Sequence, residues 1–222
     1  MRALIFDLDG LIVDTETPDY EAWQQVYHDH GQDLPLEKWA SIVGGTGASD
    51  FDPCDYLEEQ AGGPVDREAI WIRRRKYYVE RLDSQDCLPG VCDLIANAEL
   101  MGLKMAVASS SPENWVVGHL RRLAILEKFA CICTADDVEK TKPDPALFLA
   151  AAHDLDVSNT EAIVFEDSPN GVLAANRAGM YVVAVPNAVT RQLDLSHANE
   201  VMESLVGLDL DALMARAAQN EN

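Results

Sequence analysis

Basic residues are scarce in this 222-residue chain: 17 lysines and arginines stand against 38 aspartates and glutamates, a formal net charge of −21. Such a surface repels polyanions, so neither nucleic acid nor an anionic membrane is expected as a partner. An anionic ligand would have to be held by a local device, meaning a metal ion, a lysine or oriented backbone N–H groups. Long apolar runs are missing too. No stretch approaches the roughly 18 residues of a membrane span. The N-terminus enters a strand-like segment without a signal-peptide pattern, so the expected setting is the cytoplasm. Cysteine is limited to Cys54, Cys87, Cys92, Cys131 and Cys133. That odd set has no C-x-x-C spacing and reads as structural thiols instead of a zinc site or redox pair. The five histidines form no H-E-x-x-H pattern, and His28 and His30 would point to different sides of a helix; all five read as surface or interfacial residues. No internal repeat or low-complexity segment is present.

What is there is the composition of an ordinary globular protein, 48% hydrophobic and 25% charged, in a chain long enough for one domain with an insert. Residues 3–6, 104–108, 130–133, 162–165 and 181–185 are short apolar runs of the kind found in strands buried on both faces. Helical spacing occupies the stretches between the later runs, near 91–101, 112–124, 145–154 and 168–178. The alternation predicts an α/β fold, a Rossmann-like parallel sheet covered on both faces, with ligands at the carboxyl ends of its strands. Residues 16–86 break the pattern. They lack strand-like runs and show helical periodicity at 19–30, 35–42 and 66–82, so they are expected to form a helical insert. The core is then 1–15 together with 87–222.

Polar clusters follow three of the apolar runs: "DLD" after the first, "SSS" after the second, "EDS" after the fourth. If these and "KTKPDP" (Lys140 to Pro145) meet at one sheet edge, three or four carboxylates share a site with hydroxyls and lysine. Carboxylates crowded in that way call for a hard dication, with Mg²⁺ the first choice because it leaves positions open for water and phosphate.

"DLDGLIVDT", "ASSS", "KPDP" and "FEDSPNGVLAA", in that order, resemble the four motifs of the haloacid dehalogenase superfamily. The position of the insert resembles members with a cap after the first motif, such as β-phosphoglucomutase and many sugar-phosphate phosphatases. The resemblance implies that Asp7 is the nucleophile, forming an aspartyl-phosphate. It implies that Asp7, the backbone carbonyl of Asp9 and Asp167 hold Mg²⁺, with Glu166 supporting the metal, and that Lys142 grounds the phosphoryl oxygens. Asp9 is the implied general acid to the leaving alcohol and then general base to water. Ser109 and the backbone N–H of Ser110 contact the phosphoryl group, and Gly10 permits close backbone approach. Dehalogenases lack an aspartate at the position of Asp9, having no alcohol to protonate. The expected activity is therefore hydrolysis of a small phosphorylated metabolite, a sugar phosphate or phosphoglycolate-like ester. A phosphomutase is the alternative, and a non-catalytic binding protein on the same fold is the alternative of another class. Mutase-like members carry a second phosphate grip, a lysine after the second motif and a cap arginine; this chain has Pro112 and "GGTGASDF" there. Relatives often have histidine where Asp19 stands. A monomer is the default expectation.

Several residues have local readings. Asp14 and Thr15 end the first loop and cap the first helix of the insert. Ser168 and Pro169 read as N-cap and first-turn proline. Ser111 is expected to cap the helix that begins at Pro112. Gly44 to Gly47 read as a turn, and "RRRKYY" (Arg73 to Tyr78) as a solvated helix face. Hinges are expected near Thr15 to Thr17 and Cys87 to Gly90.

Overall fold

The computed structural model describes residues 1–40, 42 and 51–219. Its centre is a six-stranded, all-parallel sheet of β1 (Ala3–Phe6), β2 (Lys104–Ala108), β3 (Cys131–Cys133), β4 (Ala162–Glu166), β5 (Tyr181–Ala184) and β6 (Glu200–Val201). The spatial order is β3-β2-β1-β4-β5-β6. The chain winds outward from β1 on one side, then returns to its other side as β4, so the order reverses between β1 and β4. Register there pairs Phe6 with Val107 on one neighbour and with Phe165 on the other.

The strands form because every residue of β1 and β4 is buried, and apolar side chains can fill both faces of a parallel sheet. Alternation sends Leu4 and Phe6 to one face and Ala3 and Ile5 to the other. The first face is bulky. Phe6 stacks on Phe165 with centroids 5.3 Å apart and meets Phe129 edge-on at 5.9 Å, under helices α5 (Val91–Leu100), α6 (Glu113–Arg122) and α9 (Leu210–Gln219). The second face is lined by small residues such as Ala106, Ala108 and Ala184, which let α7 (Ala146–Asp154) and α8 (Pro169–Arg177) lie close.

Helices α1 (Glu16–Asp29), α2 (Leu36–Ala40), α3 (Pro53–Ala61) and α4 (Arg67–Leu82) surround a separate apolar cluster that includes Trp23, Tyr27, Trp39, Leu57 and Ile70. The chain passes from β1 into this bundle near Thr15 and leaves it through 83–90. The two passages lie side by side, with the Leu88 N–H donating to the Ile12 carbonyl at 2.9 Å.

Three elements differ from the sequence reading. Helix α3 has only three buried residues, too few for an apolar stripe, and is set by its ends: the Asp52 carboxylate accepts from the N–H groups of Cys54 and Asp55, and Gly62 closes it with φ +73°. Strand β6 is two residues long, below what alternation can reveal. "RRRKYY" is less solvated than expected: Arg74 binds Asp19, while Arg73 and Tyr77 both reach Asp29, tying α4 to α1. At the helix starts, Ser168 does accept from the Gly171 N–H. Thr15 makes no side-chain cap; Asp14 does that work, accepting from the Thr17 N–H at 2.9 Å. His119 is buried, against the expectation of a surface histidine, because it packs edge-on under Trp115 at 4.4 Å. All five cysteines are free, with the Sγ atoms of Cys87 and Cys92 2.6 Å apart. Among the described residues no helix is long and apolar enough to cross a membrane. The Gly44 to Gly47 segment lies outside the described residues.

Candidate active site

Asp7 follows β1 directly, its N–H donating to the Phe165 carbonyl at 3.0 Å and so extending the ladder by one rung. Glu166 and Asp167 stand at the end of β4, beside it. The reversal of strand order therefore brings three carboxylates together at one sheet edge. Lys142, in the loop before α7, forms ion pairs with Asp7 Oδ1 and, at 2.8 Å, with Glu166 Oε1; its ammonium also lies 4.9 Å from the Phe148 ring centroid. The other oxygen of Glu166 accepts from the N–H groups of Asp167 and Ser168, each at 2.8 Å, and from the Ser168 hydroxyl at 3.0 Å. A side chain at Gly171 would collide with that carboxylate. Asn187 Nδ2 donates to Asp167 Oδ2 at 2.8 Å and to the Gly10 carbonyl at 3.3 Å. Gly10 itself has φ +83°, and a Cβ there would overlap Asp167.

These groups are nearly dry. Asp7 is 6% exposed, Glu166 1% and Asp167 2%. Burial pushes the Asp7 carboxyl up from its ordinary range, Lys142 opposes that, and Glu166 and Asp9 add to the rise. Burial, then Glu166 and Asp7, raise Asp167 strongly. Burial works to lower Lys142, but Asp7 and Glu166 overcome it and hold the ammonium above the usual lysine value. One ammonium facing three buried carboxylates leaves an excess of negative charge. Oxygen atoms of Asp7, Glu166 and Asp167 lie within 4.8 Å of one another, a hard, all-oxygen donor set that could hold a small dication.

Asp9 sits above this floor in a different setting. Its Oδ2 accepts from the Ser111 hydroxyl at 2.7 Å and the Ser109 hydroxyl at 3.3 Å, and its Oδ1 from the Trp115 indole N–H at 2.8 Å. Ser111 is thus not a helix cap; α6 begins with the Glu113 N–H donating to Asp136. The Trp115 ring is fixed from two sides, by His119 below and by Tyr78 of α4, whose ring lies nearly parallel at 6.3 Å. A cavity of about 410 Å³ opens over the floor, and Ser109, Ser110 and Ser111 line it from β2 while Glu16, Asp19 and Tyr78 line it from the helical bundle. Lys142 is the one lysine or arginine lining the cavity among the described residues.

The structure brings together Asp7, Asp9, Gly10, Ser109, Ser110, Lys142, Glu166 and Asp167, which lie in four separate stretches of the sequence. Sequence reasoning missed Trp115, Tyr78, Glu16 and Asn187. Trp115 falls in a stretch of helical spacing without a motif, Tyr78 belongs to a run that reads as a solvated helix face, and Asn187 lies in a loop without a motif. Glu16 adjoins "DT" and could have been found by asking which residue of the first insert helix faces the site.

A buried carboxylate against lysine at the switch point of a doubly wound sheet, with a second carboxylate over it and a cavity above, is where proteins of the α/β class place their ligand and active sites. The chain belongs to the haloacid dehalogenase-like hydrolase family, whose pattern matches residues 4–185. It is 44% identical over 214 residues to YhcW of Bacillus subtilis (strain 168), a protein provisionally named a phosphatase, covering 96% of each chain. It is 29% identical to the validoxylamine A 7'-phosphate phosphatase of Streptomyces hygroscopicus subsp. limoneus, over 83% of this chain and 85% of that one. In three dimensions it is similar to the crystal structure of β-phosphoglucomutase from Clostridium difficile, with a TM-score of 0.72 and 29% identity over 100% of this chain and 99% of the other.

Proposed function

We propose that this protein is a phosphatase that hydrolyses the monoester of a small phosphorylated metabolite through an aspartyl-phosphate on Asp7. The observation that carries the reading is the pairing of two unlike carboxylates. Asp7 is buried in contact with Lys142, whereas Asp9, two residues on, is held over the cavity by neutral donors. Asp7 Oδ attacks phosphorus and the bond from phosphorus to the ester oxygen breaks. Asp9 gives its proton to the departing alcohol, then takes one from the water that cleaves the acyl-phosphate to inorganic phosphate. Lys142, already against Asp7, holds the phosphoryl oxygens beside the nucleophile. Ser109 and Ser110 face the same group from the end of β2.

Asp7, the backbone carbonyl of Asp9 and Asp167 are the residues to hold Mg²⁺, with Glu166 stabilising the arrangement through Lys142 and the turn after β4. A bound Mg²⁺ supplies positive charge against the repulsion of carboxylate and phosphate, roughly 8 kcal/mol for a dianion at about 4 Å and an effective dielectric near 20. The bundle of 16–86 acts as a cap on the core of 1–15 and 87–222, opening at the two adjacent passages near Thr15 and Cys87 to admit substrate. Five free thiols fit a reducing, cytoplasmic setting.

The test is phosphate release from p-nitrophenyl phosphate with Mg²⁺ and with EDTA. Hydrolysis that needs the metal supports the reading. Full activity in EDTA sinks the Mg²⁺ assignment, and inertness toward a panel of phosphate esters returns the protein to the binding class.

A further inference from the structure

The passage that leaves the helical bundle, residues 83–90, is held to the core by single contacts. The Leu88 N–H donates to the Ile12 carbonyl at 2.9 Å, and Arg122 of α6 donates to the Gln85 carbonyl. Each such bond contributes about 1 kcal/mol, so either breaks easily when the bundle moves. The passage ends in a fixed turn. Pro89 and Gly90 occupy its centre, Gly90 with φ +88° and ψ −13°, and the Val91 N–H returns to the Leu88 carbonyl at 3.1 Å, the type II pattern. A Cβ on Gly90 would overlap the backbone of Leu205 and Val206, so the turn lies flat against the core. A cysteine stands on each side of it. Cys87 precedes the turn and is half-buried; Cys92 follows it in the first turn of α5 and is the one exposed thiol of the five. Their Sγ atoms are 2.6 Å apart, against about 2.05 Å in a disulfide. A cavity of about 350 Å³ opens on the pair, lined also by Asp86, Asp93 and Arg122. Burial, then the neighbouring Cys92 thiol, pushes the Cys87 thiol up from its ordinary value. Cys92, exposed at the positive end of α5, is therefore the nucleophile of the two. Five residues apart, the pair escapes the C-x-x-C spacing by which redox cysteines are found in a sequence.

We propose that Cys87 and Cys92 are a reversible modification site, oxidised by low-molecular-weight disulfides to an intramolecular disulfide that fastens the exit of the helical bundle to α5 of the core. Cys92 loses its proton to solvent, and its sulfur attacks one sulfur of the reagent. The reagent's S–S bond breaks, one thiolate leaves, and a mixed disulfide remains on Cys92. Cys87 then loses its proton and attacks Cys92 Sγ, expelling the second thiolate. Two electrons pass from the cysteine pair to the reagent, which departs as two thiols. A covalent link thus replaces weak hydrogen bonds as the tie between this passage and the core. The oxidation stands apart from the phosphatase reading; only its consequence for opening rests on the bundle acting as a cap.

The test treats the full chain with bis(2-hydroxyethyl) disulfide, a small neutral probe, then quenches, alkylates and digests with trypsin. Cleavage after Arg81 and Lys104 releases the peptide from Leu82 to Lys104, which holds Cys87 and Cys92 and no other cysteine. Expected is a peptide lighter by two hydrogens that takes no alkylating reagent, with dithiothreitol restoring both thiols. Cys87→Ser should keep the probe's thiol as a mixed disulfide on Cys92, and Cys92→Ser should react at Cys87 at least about tenfold more slowly. In the oxidised protein, hydrogen exchange of the Leu88 amide should slow by about threefold or more. A wild-type peptide that stays reduced, or that stops at the mixed disulfide, overturns the proposal. So does an oxidised protein in which Leu88 exchanges as fast as in the reduced one. Hydrolysis of p-nitrophenyl phosphate by the reduced protein is measured separately: its absence sinks the phosphatase reading, while the peptide and the exchange rate still decide the modification site.

Discussion

The floor and the wall of the cavity are built on opposite principles. On the floor, Asp7, Lys142, Glu166 and Asp167 are buried, and each is fixed by partners from the sheet edge. On the wall, Glu16, Asp19 and Tyr78 are partly exposed and come from two helices of the bundle. Rigid, dry groups suit a reaction step that must happen in one geometry. Exposed groups on a second body suit selection, since they can meet the variable part of a ligand. On the proposed function, chemistry belongs to the floor and specificity to the wall, and substitutions should separate them.

The largest effect belongs to the floor. Asp7→Asn keeps the shape but removes the nucleophile, and turnover should fall by about four orders of magnitude or more, as for covalent catalysts generally. Steady-state assay on any accepted ester checks this, and a wild-type rate would break the assignment of the floor to chemistry.

A middle effect is expected between the two regions. Trp115→Phe retains the stack with Tyr78 and His119 but deletes the N–H held by Asp9. Losing one hydrogen bond to a charged group, about 1.5 kcal/mol, should lower kcat roughly tenfold for alkyl phosphates. The loss should be smaller for p-nitrophenyl phosphate, whose leaving group needs little protonation. Equal losses on both would show that Trp115 supports structure and not the acid.

The smallest effect sits on the wall. Burial first, then Asp9, Asp19, Asp14 and Asp7, push the Glu16 carboxyl from 4.5 up to about 8. Because the folded value is raised, its contribution to stability is present in full below about pH 4.5 and is lost as pH rises through about 8. Glu16→Gln stays neutral throughout. Its Tm should match wild type near the acid end of that window and exceed it by several °C above the alkaline end, measured calorimetrically in EDTA. A difference independent of pH would mean that Glu16 is not held against other carboxylates.

How far the molecule was legible follows the same division. The five main strands could be read because burial on both faces leaves continuous apolar runs, as in Ala3 to Phe6 and Ala162 to Phe165. Asp7 and Asp167 could be read because carboxylates at strand ends have little purpose in a stable core, and Lys142 because its loop motif supplies the cation they lack. Trp115 could not, since an indole that packs and an indole that donates to Asp9 look alike in a helical pattern. Ser111 was misread for a related reason: a serine before a proline-led helix has the pattern of a cap, and only the position of Asp9 shows where its hydroxyl goes.

The parallel sheet, the helical insert and the acidic edge follow from periodicity and from residue types that neighbours along the chain cannot disguise. Which carboxylates are paired and which are open depends on contacts between distant segments. Lys142 reaches Asp7 across 135 positions, and Arg74 neutralises Asp19 but leaves Glu16 alone. Charge acts through space, and its balance is set once the bundle and the sheet are brought together.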